Sequence, residues 1–460
     1  MESPGDVKER NSAFSSIFAI LKKPVVIILI VGLLIRFVLA PLFTYTFDIA
    51  HWAMVTEHIQ AGFGLYSVPG YYYSPVWGYM LGSFSLLNNF AIGIQPLVSF
   101  FETLLPAQEL WWYYFTPEVT TISFNVFMKV PFILCDVVVG ALVYYLIKEK
   151  TGDEKKATYG FALWFLCPIV IWMSSVQAMF DTFSVLFMFL SVLLIYKGRY
   201  FSGGAMLSLA IFTKFFPLYI AFAVIAYIIL KHRGDKAAIK KNILLGVAGL
   251  IIMTVILHIP MIMEGSFIDS LWFMLSRAES AGVSGDGVKG MTESLGYMAV
   301  LLLQPLIFAF IIFLAYRLAK SKQEDADNSF FFCLLLTTAA VFIWIPAPQY
   351  LMIIIVFLIY HIVVSDKRYL RPWMFMTIGA AIYAFVMNNF SILTSLAAYT
   401  NLIDLNWVLG IMEWLQQPIF GVSALFILIT ITGMIQAIGI WYILLIWLND
   451  ELKKRRAAHE

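Results

Sequence analysis

Residues 37–128 contain neither lysine nor arginine, although the 460-residue chain holds 30 basic residues elsewhere. That gap restricts the fold because 61% of the chain is hydrophobic and only 13% is charged, with a mean hydropathy of +0.86. An ordinary soluble domain carries about 25% charged residues. This is the composition of a polytopic membrane protein, and cytosolic loops of such proteins collect positive charge. The cation-free window therefore lies outside the cytosol or within the bilayer. Asp48 stands near its start, at the outer end of the first apolar run.

Apolar runs of about 20 residues cross a bilayer, and the chain has room for about 12 of them. The expected fold is an all-α integral membrane bundle with interfacial helices in the first outer loop. Spans are expected at 24–44, 121–147, 157–174, 182–196, 202–213, 215–230, 242–260, 294–316, 329–346, 349–364, 373–392 and 420–448. The N-terminal run reads as an uncleaved first helix, since it continues past Arg36 without a small-residue cleavage site. Four regions follow: a cytosolic lead (1–23), a core (24–392) with its first outer loop at 45–120, an outer interfacial helix with the last span (393–448), and a basic cytosolic tail (449–460). Residues 74–105 read as interfacial or re-entrant helices, with two additional spans as the alternative. Cys135, Cys167 and Cys333 fall in apolar runs without clustering and read as buried small hydrophobes.

With both termini in the cytosol, 25 of the 30 basic residues fall in cytosolic segments, leaving Arg36, Lys129, Lys214, Arg277 and Lys289. The same membrane and outer zones hold 14 acids. Two spans, 202–213 and 215–230, are too short to cross alone, so they read as a hairpin carrying Lys214 at its tip, with Pro217 tolerated at a helix start. Arg36 and Lys129 read as buried partners of acids, and Lys289 as a charge in a glycine-containing loop.

Charged groups at membrane depth are costly and mark pairing or function. Asp48, His51 and Trp52 share a helical face, which suits either an interfacial anchor or a carboxylate that takes a proton from a hydroxyl. Several segments follow in order: Gly64-Leu65-Tyr66, Tyr73-Ser74-Pro75, Lys129-Val130-Pro131 with Asp136, Cys167-Pro168, Ser174 to Asp181, and Thr213-Lys214-Phe215-Phe216-Pro217. Their order and topology resemble the GT-C superfamily of membrane glycosyltransferases that use polyprenyl-phosphate sugars. The likeness is greatest to relatives of GPI mannosyltransferases and of the asparagine-linked glycan glucosyltransferases. It covers roughly residues 24–365, with three departures: one proline where the family has two after Tyr73, Cys167 in place of asparagine, and Met179 in place of glutamine.

The resemblance implies an inverting hexosyltransferase, mannose being the expected sugar, that acts from a polyprenyl-phosphate donor on a lipid-linked or surface glycan at the outer or luminal face. Asp48 would be the base, and Lys214 and Arg277 are the best-placed cations for the donor phosphate. His51, Tyr73, Asp181, Gln349 and Tyr350 are further site candidates. No cofactor or metal is expected: the pair Asp325 and Asp327 lies on the cytosolic side and reads as a solvated loop, and Asp48, His51 and His58 offer too few oxygen ligands for a hard cation. Partners are the bilayer, the lipid-linked sugar and the acceptor, without nucleic acid. The location is a prokaryotic plasma membrane, or alternatively the endoplasmic reticulum. The intramembrane charges also suit a transporter or lipid flippase, although no internal repeat is visible, and the altered segment at Met179 also suits a non-catalytic GT-C-like subunit.

Overall fold

The computed structural model of the chain describes residues 23–67, 71, 73–91, 98–99, 118–119, 122–271, 289–343, 346–388 and 390–457. The cytosolic lead, Arg277 and most of the loop around it lie outside these residues. Helices dominate: α1 (Pro24–Leu42), α2 (Thr46–Gln60), α3 (Pro75–Ala91), α4 (Ile122–Thr151), α5 (Glu154–Phe165), α6 (Pro168–Ser175), α7 (Asp181–Tyr196) and α8 (Tyr200–Ile211). A 3-10 turn, Phe216–Ile220, leads into α9 (Ala221–Lys231), followed by α10 (Lys236–Glu264), α11 (Lys289–Lys320) and α12 (Ala326–Val341). Another 3-10 turn, Pro348–Leu351, opens α13 (Met352–Val364); α14 (Leu370–Met387), α15 (Ile392–Tyr399), α16 (Leu405–Gln416) and α17 (Ala424–Ala457) complete the series. The strands described are two-residue pairs, Val98–Ser99 with Glu118–Val119 and Pro418–Ile419 with Val422–Ser423, both antiparallel.

Each of the twelve expected spans falls on helix, 157–174 on two, but among the described residues six helices are long and apolar enough to cross a membrane alone, or seven with α5 and α6 counted as one span bent by 51°. The bend has a local cause. Pro168 cannot donate to the α5 ladder, and the Phe165 carbonyl at the break accepts instead from Arg36 Nη1 at 2.8 Å. Lys289, expected in a loop, is the first residue of α11. Within the first outer loop, α2, a 3-10 turn at Leu65–Ser67 and α3 are described, and residues 92–97 and 100–117 lie outside the described residues.

Short helices are the rule around the molecule's centre. α7 has 16 residues and α8 has 12, about 24 and 18 Å at 1.5 Å per residue, against a hydrocarbon core of about 30 Å. α8 is held tightly against α10, because a Cβ on Gly204 would run into the Gly246 carbonyl and one on Gly249 into the Phe201 carbonyl. Ser208 and Thr254 hydroxyls add a 2.9 Å bond across that seam. The main apolar core joins α4 to α9 with α12, α13, α14 and α17. A second, aromatic core joins α2, α3, the start of α4 and the turn before α7.

Buried charges pin the bundle together. Arg36 Nε and Nη2 both donate to Asp136 Oδ2, at 3.0 and 2.9 Å, with both side chains fully buried. The guanidinium also lies 4.1 Å from the centre of the Phe165 ring. Lys129 departs from expectation: it pairs with no acid in the bonds described, and Nζ instead donates to the carbonyls of Ala40 and Phe43 and to Thr44 Oγ1, at 2.8, 2.6 and 2.7 Å. It thereby satisfies carbonyls left open at the end of α1. Asp327 also corrects the solvated-loop reading, since it accepts from Lys150 Nζ and, at 2.7 Å, from Tyr227 O–H.

Candidate active site

Lys214 lies in the non-helical link between α8 and the 3-10 turn Phe216–Ile220. Its ammonium faces Asp181, the first residue of α7, with Nζ 3.5 Å from Oδ2 and side chains 13% and 4% exposed. That separation exceeds the roughly 2.7–2.9 Å of a charge-assisted hydrogen bond. Three aromatic rings surround the ammonium, with Nζ 4.3 Å from the centre of Phe180, 5.5 Å from Tyr350 and 5.8 Å from Tyr73. Four residues singled out in four separate segments of sequence, Tyr73, Asp181, Lys214 and Tyr350, thus meet at one point.

The wall behind them is aromatic. Phe180 stacks on Trp77 at 4.8 Å and meets Tyr73 and Trp52 edge-on at 5.2 and 5.9 Å. Tyr350 packs on Phe216 at 4.6 Å and on Phe342 at 5.7 Å. Tyr73 is fixed from the other side, its carbonyl accepting from the Tyr66 hydroxyl at 3.0 Å. Gln349 is partly buried in the same 3-10 turn as Tyr350.

Asp48 approaches from α2. It is buried in the first turn, where the exposed N–H groups of a helix favour a negative charge. Trp52, one turn later on the same face, touches Tyr73 and Phe180, and His51 lies against Trp52 at 5.2 Å. The entry to α2 is fixed by Lys129, which grips Phe43 and Thr44, and by Ser395 Oγ, which accepts from the Thr44 N–H at 3.0 Å. At the rim, Tyr79 donates to the Leu257 carbonyl and joins α3 to α10. Burial, with Glu264 adding repulsion, pushes its phenol up to about 12.

The turn joining α6 to α7 was read in sequence only for Met179 and Asp181. It also carries Phe180 beneath the ammonium and Ala178 at φ 56°, in the left-handed region. An L-residue there costs about 1–2 kcal/mol. Next to it, Gln177 is buried and its Oε1 has no hydrogen-bond partner, a further cost of about 1–3 kcal/mol. The available signal was an amide inside an otherwise apolar run. Among the described residues, no three His, Cys, Asp or Glu gather to hold a metal ion.

An ammonium loosely paired and walled by aromatic rings suits an anion attached to an apolar or sugar-bearing group, since the carboxylate leaves N–H donors for a second anion. Residues 110–261 match the family of dolichyl-phosphate-mannose-protein mannosyltransferases, a stretch that contains Asp181 and Lys214 but ends before Tyr350 and begins after Asp48. No curated protein matches the chain. The match takes in about a third of the chain and agrees with the resemblance to the GT-C membrane glycosyltransferases drawn from its sequence.

Proposed function

We propose that the chain transfers a hexose, mannose in the first instance, from a polyprenyl-phosphate donor to a hydroxyl at the outer or luminal membrane face. The observation that carries this reading is the Lys214–Asp181 pair within its aromatic wall. Lys214 binds the donor phosphate. Asp48 accepts the proton of the acceptor hydroxyl while its oxygen attacks the anomeric carbon. The bond from that carbon to the phosphate oxygen breaks, and its electron pair leaves with the polyprenyl phosphate, whose charge Lys214 meets. Asp181 holds the ammonium in place, and no metal is assigned to the step. The matched family is named for a protein acceptor; a protein hydroxyl and a lipid-linked or surface glycan hydroxyl are the same nucleophile, and the glycan is the acceptor proposed.

The test uses membranes containing the full chain, supplied with polyprenyl-phosphate [3H]mannose, and follows label entering endogenous acceptors. Asp48→Asn is expected to lower transfer by about 10²–10⁴-fold, the usual worth of a general base, with binding of polyprenyl phosphate retained. Lys214→Met is expected to lose that binding. Undiminished transfer by Asp48→Asn removes it as the base. Donor binding by the wild type without transfer to any acceptor fits a non-catalytic subunit, and movement of intact donor across the bilayer fits a flippase.

A further inference from the structure

We infer that the Gln177 amide binds a hydroxyl of the sugar being transferred; the inference rests on the reading in the preceding subsection. Residues 176–181 run between the two halves of the site. Val176 packs with Tyr45, three residues before Asp48, and Ala178 and Phe180 pack with Ile49 and Trp52 of α2. At the other end, Phe180 lies under the Lys214 ammonium and Asp181 pairs with it. Gln177 thus belongs to a segment whose neighbouring residues reach both the helix that carries Asp48 and the lysine.

Two unfavourable features adjoin in this turn. Gln177 is 1% exposed with Oε1 lacking any hydrogen-bond partner, and Ala178 takes φ 56°. The turn keeps that conformation through Gln177 N–H to the Trp172 carbonyl at 3.1 Å and Met179 N–H to the Met173 carbonyl at 2.9 Å. A buried polar group without a partner opposes folding, and strained backbone persists where the surroundings over-determine it, most often at functional sites. A primary amide offers one acceptor and two donors, which complements a sugar hydroxyl that both donates and accepts. A carboxylate there would add a negative charge to a site proposed to bind a phosphate, whereas an amide adds no charge.

The measurement is ligand-induced stabilisation of the purified full chain in detergent, with polyprenyl phosphate, polyprenyl-phosphate mannose and polyprenyl-phosphate glucose as probes. For wild type, polyprenyl phosphate raises the unfolding midpoint and one sugar-bearing donor raises it further. Gln177→Met, close in volume but without an acceptor, is expected to leave the unliganded midpoint unchanged or higher and polyprenyl phosphate binding intact. Its affinity for the sugar-bearing donor is expected to fall about tenfold. Gln177→Asn keeps the amide and is expected to recover part of that affinity. Equal sugar preference in wild type and Gln177→Met overturns the inference. So does a lower unliganded midpoint or failure to fold, because the amide is then structural, and so does a wild type that prefers neither sugar over bare phosphate. If no probe stabilises the wild type at all, the donor reading itself fails.

Discussion

Two kinds of charge are buried in this chain, and their pairing separates them. Arg36 and Asp136 are fully buried and joined through Oδ2 at normal bonding distance, whereas Lys214 is loosely paired and keeps a small exposed surface. The first pair is expected to serve the fold. Arg36→Met, which strands Asp136, should destabilise the protein by about 3–5 kcal/mol, and Arg36→Met with Asp136→Leu should recover most of that. Chemical unfolding in detergent measures both; a double variant as unstable as the single one refutes the assignment. Sequence made these charges visible because cations outside the expected cytosolic segments are few, and it led to Arg36 as a buried partner of an acid without saying that the acid is Asp136. It misled for Lys129, because that residue's partners are main-chain carbonyls, which no side-chain pattern announces. Gln177 escaped notice for a related reason: its importance lies in a missing partner and in the backbone angle of its neighbour.

At the scale of elements, the site depends on how closely α8 lies on α10, since α8 ends at the link that carries Lys214. Gly249→Ala drives a methyl into the Phe201 carbonyl, and backbone cannot give way as a side-chain tip can. The expected cost is about 1–3 kcal/mol, with reduced donor affinity, read together by thermal unfolding with and without polyprenyl phosphate. A fully stable variant with unaltered affinity would show that the seam can open without moving Lys214. The short helices were legible from the basic residues that bracket them, as was the break in helix at Lys214. The helix expected just before the last span is present as two, α15 and α16, the second with Trp407 and Trp414 exposed. The bend between α5 and α6 was marked by Pro168, yet its completion by Arg36 from α1 required the assembled bundle, because residues 129 positions apart supply donor and acceptor.

For the whole molecule, long and short helices stand side by side. α4, α10 and α17 have 30, 29 and 34 residues, enough to pass through a bilayer and beyond, while α8 has 12. If the basic residues Lys197 and Arg199 lie at the bilayer surface, as the charge pattern leads one to expect, α8 reaches about 18 Å from it, short of a hydrocarbon core of about 30 Å. Proposed as a phosphate site, the Lys214 link then requires the donor's head to descend below its neighbours, or the bilayer to thin there. Reconstitution in lipids of decreasing acyl length is expected to raise donor affinity until the long helices are left too exposed, since mismatch costs fractions of a kcal/mol per Å. Affinity independent of acyl length would place the phosphate elsewhere. On the proposed function, a helix of three turns would tie the reaction to its surroundings: the same chain would run at different speeds in a thin membrane and a thick one, and the lipid around it would act as a dial on the rate.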